Sequence, residues 1–425
     1  MIDFDAALER ALGFYRQHVA ALGEGSTLVR DVWGRLGLVA IQAVPTTLAQ
    51  EFVRAVGPWS RPADQAILAA ELVGGRAALE RDPDRMLYEG VPVIERMLVA
   101  RDWTLPPLPD AEPRIPRAVL YGLKGGTGRS TALAVWAMHL AREHGRRVLV
   151  VDLDIESPGV GSLLLSRDAH PRYGLVDCLV EAMVGQAGEA VRQCWARSPA
   201  ALDTGAGAVF VVPSTGSPAG YYPQKIARAY ADAVGRNGVS EHTAERIARV
   251  LDLIEAEVRP DVVLIDSRAG LHDIAATALT RLGARLVLLF AMGTRQTWDG
   301  YRLLFEHWQR WAQSTADRTQ FDGLRESLQI VAAQVPELEA GPYLQRFEEA
   351  SYQVFAEHLY DAVEGDDVEA FHPVSDDQAP HKPLRIDWSI RFLAWDPLTA
   401  PVEAQHVRAS FASFLDRATA ALFPP

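Results

Sequence analysis

The stretch YGLKGGTGRSTALAV, Tyr121 to Val135, gathers glycines, two cations and three aliphatic hydroxyls into one short run. That composition suits the binding of phosphate. Glycines let successive backbone N–H groups turn inward onto anionic oxygens, and a following helix adds the positive end of its dipole. Gly125, Gly126, Thr127, Gly128, Arg129, Ser130 and Thr131 form the candidate binding set, with the Ser130 hydroxyl placed to reach Mg2+. A bare strand-to-helix turn can also be rich in glycine, so context decides. Here the apolar run AVLYG precedes the loop and STALAVWAMHLAREH follows it with a helical pattern. Two further apolar runs each end in carboxylates: RVLVVDLD delivers Asp152 and Asp154, and DVVLIDS delivers Asp266. Carboxylates beside a phosphate cradle suit phosphoryl transfer, which needs positioning and charge stabilisation more than covalent chemistry.

The loop departs from the ordinary pattern GxxxxGK[ST] at two places, with Leu123 at the first glycine and Arg129 at the lysine. Arg129 keeps the positive charge, but its planar fork is larger than an ammonium and places phosphate oxygens differently. Only Lys124, Lys225 and Lys382 are lysines among 42 basic residues, so a lysine inside the loop is informative. Together with Lys124, LKGGTGRST resembles the deviant P-loop of the ParA/MinD family, whose pattern is KGGxGK[ST]. DLDIESPG is similar to that family's switch I segment, and DSRAG is similar to the DSPAG of MinD. The three blocks follow in order over about 150 residues from Leu123.

This resemblance implies ATP and Mg2+ as cofactors and an ATP-dependent homodimer. It implies that Lys124 reaches across the dimer interface to the nucleotide of the other subunit and that Asp154 orients the attacking water. It further implies that Asp152 supports the magnesium shell, that Asp266 contacts magnesium through water, and that Gly270 makes a backbone contact near the γ-phosphate. Judged by residue type alone, Asp152 serves equally well as a loop cap. VAAQVPELE ends where the family places a base-contacting polar residue and a proline, which nominates Gln334 and Pro336.

These residues need a scaffold, and the alternation of apolar strands with longer helical segments supplies one. AVLYG, RVLVVDLD, AVFVVPS, DVVLIDS, RLVLLFA and LQIVAAQ are near-continuous apolar runs, as expected of parallel strands covered on both faces. Ser240 is the expected cap of a helix whose Ile247, Val250, Leu251, Ile254 and Val258 share one face. Trp298, Tyr301, Phe305, Trp308 and Trp311 follow helical spacing and read as core. The expected fold class is α/β, a doubly wound and mostly parallel sheet carrying the P-loop, plus a smaller N-terminal α+β domain. The N-terminal domain spans 1–102, with a helix near Asp3 to Leu22 and a hairpin around Gly34. Residues 103–116, which hold five prolines, form a linker, and 117–425 form the ATPase domain.

Composition removes several alternatives. Cys178 and Cys194 are not spaced as a CxxC pair and read as packed thiols, and the eleven histidines show no metal-ligand spacing. A net charge of −13 with no basic run argues against nucleic acid as a partner. No apolar run reaches the roughly 18 to 20 residues that span a bilayer, and MIDFDAALER is acidic where a signal peptide is basic. A cytoplasmic location is expected. The segment Val402 to Phe423 resembles a MinD-type anchor, but its apolar residues fit one face only loosely and Arg408 and Arg417 supply little charge for anionic lipid, opposed by Asp416, so it is expected to pack on its own domain. Lys225, in YYPQK, reads as a surface lysine. The expected function is an ATPase acting as a dimerisation switch, with the N-terminal domain engaging an unidentified protein partner. The alternative is a nucleotide-sensing module without turnover.

Overall fold

In the computed structural model the described residues are 1–105, 107, 115–201, 207–234, 240–314, 318–361, 371 and 379–424. Much of the expected linker, residues 106 and 108–114, lies outside them. The chain divides into two compact units, one of residues 1–101 with 310–317 and one of 102–309 with 318–425.

In the first unit α1 (Phe4–Leu22) begins where Asp3 accepts the Ala6 N–H at 2.9 Å, a capping bond that satisfies one of the free donors of the first turn. Then follow β1 (Thr27–Arg30), β2 (Leu36–Ala40), α2 (Thr46–Val56), β3 (Ile67–Ala69), α3 (Arg76–Glu80), β4 (Arg85–Tyr88) and β5 (Val91–Glu95). β1 and β2 form the hairpin expected around Gly34, whose φ of 81° is a left-handed turn conformation. The sheet runs β3-β2-β1-β5-β4, with β1 parallel to β5 and antiparallel to β2. Ala7, Ala11 and Phe14 of α1 and Phe52 and Val56 of α2 close its core against Leu28, Leu38 and Val93.

The second unit opens with β6 (Arg117–Gly122), α4 (Arg129–Glu143), β7 (Arg147–Asp152), α5 (Val160–Leu164), α6 (Leu175–Ala182) and α7 (Ala187–Val191). It continues through β8 (Ala196–Arg197), β9 (Ala208–Val212), α8 (Tyr222–Ala229), β10 (Ala233–Val234), β11 (Ser240–Glu241), α9 (Thr243–Val258) and β12 (Val262–Asp266). The remaining elements are α10 (Asp273–Thr280), β13 (Leu286–Ala291), α11 (Arg295–Ser314, of which 310–314 fall in the first unit), α12 (Thr319–Ser327), β14 (Leu328–Val335), α13 (Ala340–His358), β15 (Leu384–Asp387) and α14 (Ala404–Leu422). Eight strands form one sheet in the order β15-β14-β13-β6-β12-β7-β9-β8, parallel throughout except between β8 and β9. The six apolar runs read from the sequence are six of these strands.

β6 lies between β13 and β12, and the chain leaves it in both directions across the sheet. Ligands of such open α/β sheets sit at the carboxyl ends of the strands where the winding reverses. In register, Asp266 on β12 is opposite Leu120 of β6 and Asp152 of β7, so the glycine loop and both acidic segments emerge at one edge.

One helix start differs from expectation. Ser240 does not cap α9 but belongs to β11, paired with Val234. The helix begins three residues later behind His242, whose backbone N–H is taken by the Glu245 carboxylate at 3.2 Å. Ile247, Val250, Leu251, Ile254 and Val258 are all buried, as their spacing required. On α11, Trp298, Tyr301, Phe305 and Trp308 are buried, and Trp311 is half-buried.

α14 packs against the unit. Phe411, Phe414, Leu415 and Leu422 are buried, Phe414 meets the Trp136 and Phe290 rings edge-on, and the Trp136 indole donates to Thr419 at 3.0 Å. No described helix is long and apolar enough to cross a membrane. Phe414→Ala is expected to cost about 3 to 5 kcal/mol of stability through the cavity it leaves. Urea unfolding measures this, and a loss below about 1 kcal/mol would show that the helix is not integral to the core.

Candidate functional site

β6 runs straight into the loop, and α4 starts at Arg129. Gly126 and Gly128 have φ of 77° and 80°, a conformation that suits glycine and turns the backbone back on itself. A Cβ placed on Gly125 or Gly126 would meet no protein atom within 4 Å, so the loop faces open space. Thr127 is buried beneath it, and Thr131 is half-buried in the first turn of α4. Gln334, at the end of β14, donates from its side-chain amide to the Gly126 carbonyl at 2.6 Å and has a positive φ of 55°. Pro336 follows two residues on and is half-buried. Gln334 therefore borders the loop's flank from the neighbouring side of the sheet.

Arg129 does not extend over the loop. Its guanidinium is buried, with Nε donating to Asp266 Oδ1 at 2.6 Å and Nη2 to Asp154 Oδ2 at 3.1 Å. Ser130 Oγ donates to the other Asp266 oxygen at 2.6 Å. Both oxygens of Asp266 are thus engaged from the first two residues of α4. Burial works against the arginine's charge, but Asp266 and Asp154 outweigh it and hold its pKa above the usual value. Such a buried pair is costly to break one partner at a time, since the remaining charge is stranded.

Asp154 is buried between two arginines. Burial raises its pKa, with Arg129 pulling the other way. Asp152 is fully buried, and its Oδ2 accepts the N–H groups of Gly159 and Gly161 at 3.2 Å each, while Oδ1 accepts the Asp154 N–H at 3.3 Å. Desolvation and the nearby Asp266 push its pKa up to about 7. Of its two possible roles the structure displays the loop cap. Gly270, with φ of 83°, donates its N–H to the Gly122 carbonyl at 3.1 Å, which ties the segment after β12 to the root of the glycine loop.

Lys124 is exposed and donates to the side chain of Gln296, a neutral partner. Lys225 is not a free surface lysine, since it pairs with Asp177. Cys178 and Cys194 are both buried and free, and a hydrogen bond between them, with burial, raises the Cys178 thiol pKa. Among the described residues no group of three or more His, Cys, Asp or Glu is arranged to hold a metal ion.

Residue types alone gave no sign of Arg268. It replaces the proline of DSPAG, and in an arginine-rich chain it carried no signal. Its Nη1 lies 2.9 Å from Glu156 Oε2 and 3.5 Å from Asp154 Oδ1, joining the segment after β12 to the segment after β7. The Tyr230 hydroxyl donates to the second Glu156 oxygen, and Tyr222 donates to the Ile155 carbonyl at 2.7 Å.

Fold and site together define an α/β unit with a glycine-rich strand–loop–helix turn flanked by two acidic strand ends. No family model matches the chain, and no curated protein matches it. Among solved structures it is similar to pNOB8 ParA, with 15% identity over 73% of this chain and 95% of that one at a TM-score of 0.42. Protein DIP2308 from Corynebacterium diphtheriae is 17% identical over 73% of this chain and 99% of that one, also at 0.42. An ATP complex of Cyanothece McdA is 15% identical over 56% and 80% at a TM-score of 0.37.

Proposed function

We propose that the chain binds ATP in the glycine loop and uses it as a dimerisation switch, with hydrolysis resetting the cycle. The observation that carries this reading is the meeting of an open glycine loop, the Arg129 and Ser130 side chains and Asp266 at one sheet edge. Backbone N–H groups and the start of α4 are left to face phosphate. Residues 125–131 cradle it, Gln334 and Pro336 flank the base, Asp154 orients water, and Lys124 acts on the facing subunit's nucleotide.

The donor set suits Mg2+. The Ser130 hydroxyl donates its hydrogen bond to Asp266, leaving its oxygen lone pairs for a hard cation. Ser130 would hold the ion, Asp266 would support it through water, and Asp152 acts from behind as the cap of the 153–161 segment. When bound, the ion neutralises charge between the phosphates. Residues 1–102 serve as the partner module, 103–116 as the linker and 117–425 as the ATPase domain, working in the cytoplasm.

One observation favours a sensor without turnover: Arg129 is drawn onto Asp154, the carboxylate assigned to the attacking water. Phosphate release by the parent protein separates the two readings. Binding itself is tested by calorimetry with ATP, with and without Mg2+. ATP should bind more tightly with the ion, and Ser130→Ala should lose that gain while keeping the metal-independent part. Equal affinity in both conditions for the parent would remove Ser130 from its role.

A further inference from the structure

Arg268 occupies an unusual place. It stands two residues beyond Asp266, in a segment whose Ser267 and Gly270 N–H groups bond the carbonyls of Leu120 and Gly122 at 3.1 Å. Its backbone is therefore laced to the strand that feeds the phosphate loop. Its side chain crosses to the opposite acidic segment through Nη1, and its Nε is buried without a hydrogen-bond partner. A buried guanidinium donor with no acceptor costs stability unless an acceptor arrives. The anion-binding loop beside it indicates what kind of acceptor that is.

Resting on the nucleotide-binding reading, we propose that Arg268 recognises the terminal phosphate of a nucleoside triphosphate and passes its presence to α8 through Glu156. A guanidinium presents several N–H donors in a planar fork, so it can bind a phosphoryl oxygen through one edge while another nitrogen keeps a carboxylate. A diphosphate leaves that edge unfilled. Glu156 links Arg268 to the Tyr230 hydroxyl, and Tyr230 follows α8 directly. The Tyr222 bond to Ile155 ties the first turn of α8 to the same segment. Filling Arg268 thus changes the charge balance at the carboxylate on which α8 rests. No covalent step is involved.

The test measures the affinities of ADP and of a slowly hydrolysed ATP analogue by calorimetry, for the parent, Arg268→Ala and Arg268→Lys. Loss of a charged hydrogen bond to the terminal phosphate should cut the triphosphate preference of Arg268→Ala by about tenfold or more. ADP affinity should stay within about twofold, because no contact to the diphosphate is removed. Arg268→Lys should fall between the parent and Arg268→Ala, and it carries the test if Arg268→Ala does not fold. Hydrogen exchange over 222–230 should slow with the analogue in the parent, slow less in Arg268→Lys and be unchanged in Arg268→Ala. An unchanged preference, or an equal fall in both affinities, would overturn the role of Arg268 alone. A parent that binds neither nucleotide would overturn the nucleotide reading as well.

Discussion

Asp154→Ala is expected to keep ATP binding and lose phosphate release by about 10²- to 10⁴-fold, the range for removing a positioned proton-handling carboxylate. The site should survive the change, because Arg129 keeps Asp266 at 2.6 Å and Arg268 keeps Glu156 at 2.9 Å. What disappears is the carboxylate between them. An interaction made mainly in the transition state affects turnover more than ground-state binding, so the variant should accumulate as an ATP-bound dimer. Single-turnover phosphate release beside calorimetry reads both quantities, once the parent has shown turnover. Release unchanged in the variant would take Asp154 out of the reaction.

Lys124→Ala should abolish ATP-induced dimerisation while keeping most of the monomer's nucleotide affinity, and Lys124→Arg should do the same. The side chain is exposed, and its partner, Gln296, is a neutral amide rather than a carboxylate. An ammonium held this way gives up little when a phosphate in a facing subunit takes it. A flexible point charge also differs from a planar fork in reach, so arginine is not an equivalent replacement. Light scattering with the slowly hydrolysed analogue follows the dimer. If Lys124→Ala dimerised as well as the parent, the lysine would have no role across the interface, and a monomeric sensor would be the better account. Gln296→Ala, which frees the lysine, should leave the dimer intact.

The scaffold was legible because its signals are local. A buried parallel strand needs apolar residues on both faces, and RVLVVDLD and DVVLIDS advertise that without reference to anything distant. The glycine loop was legible for the same reason, since its conformation is set by its own residues. Partnerships across the sheet were not legible in this way. Arg129 reaches Asp154 and Asp266 because α4 starts over the ends of β7 and β12, and that adjacency exists only after folding. The Glu156 cluster is drawn from three separated segments, with Arg268 hidden among many arginines. Ser240 shows a local signal overruled: a good capping residue was taken by the short β10–β11 pair, and Glu245 on the His242 N–H marks the helix start instead. The acid pair Asp152 and Asp154 was visible as a unit, but its division into a buried cap and a site carboxylate depends on which backbone N–H groups surround each.

The docking of α14 on the loop-bearing helix also bears on synthesis. The bond from Trp136 to Thr419 spans 283 residues of chain. At about 5 to 20 residues per second, the ribosome makes α4 well before the segment that covers it. Until β15 and α14 emerge, Trp136 and Phe290 lack the ring of Phe414, and the edge of β14 lacks its parallel neighbour. Closing so long a loop is entropically slow, so the nascent chain carries an apolar surface and an unpaired strand edge for that interval. The backing of the glycine loop is therefore completed only after β15 and α14 have emerged, and chaperone dependence of the newborn chain should be set by residues 384–422 rather than by the glycine loop itself.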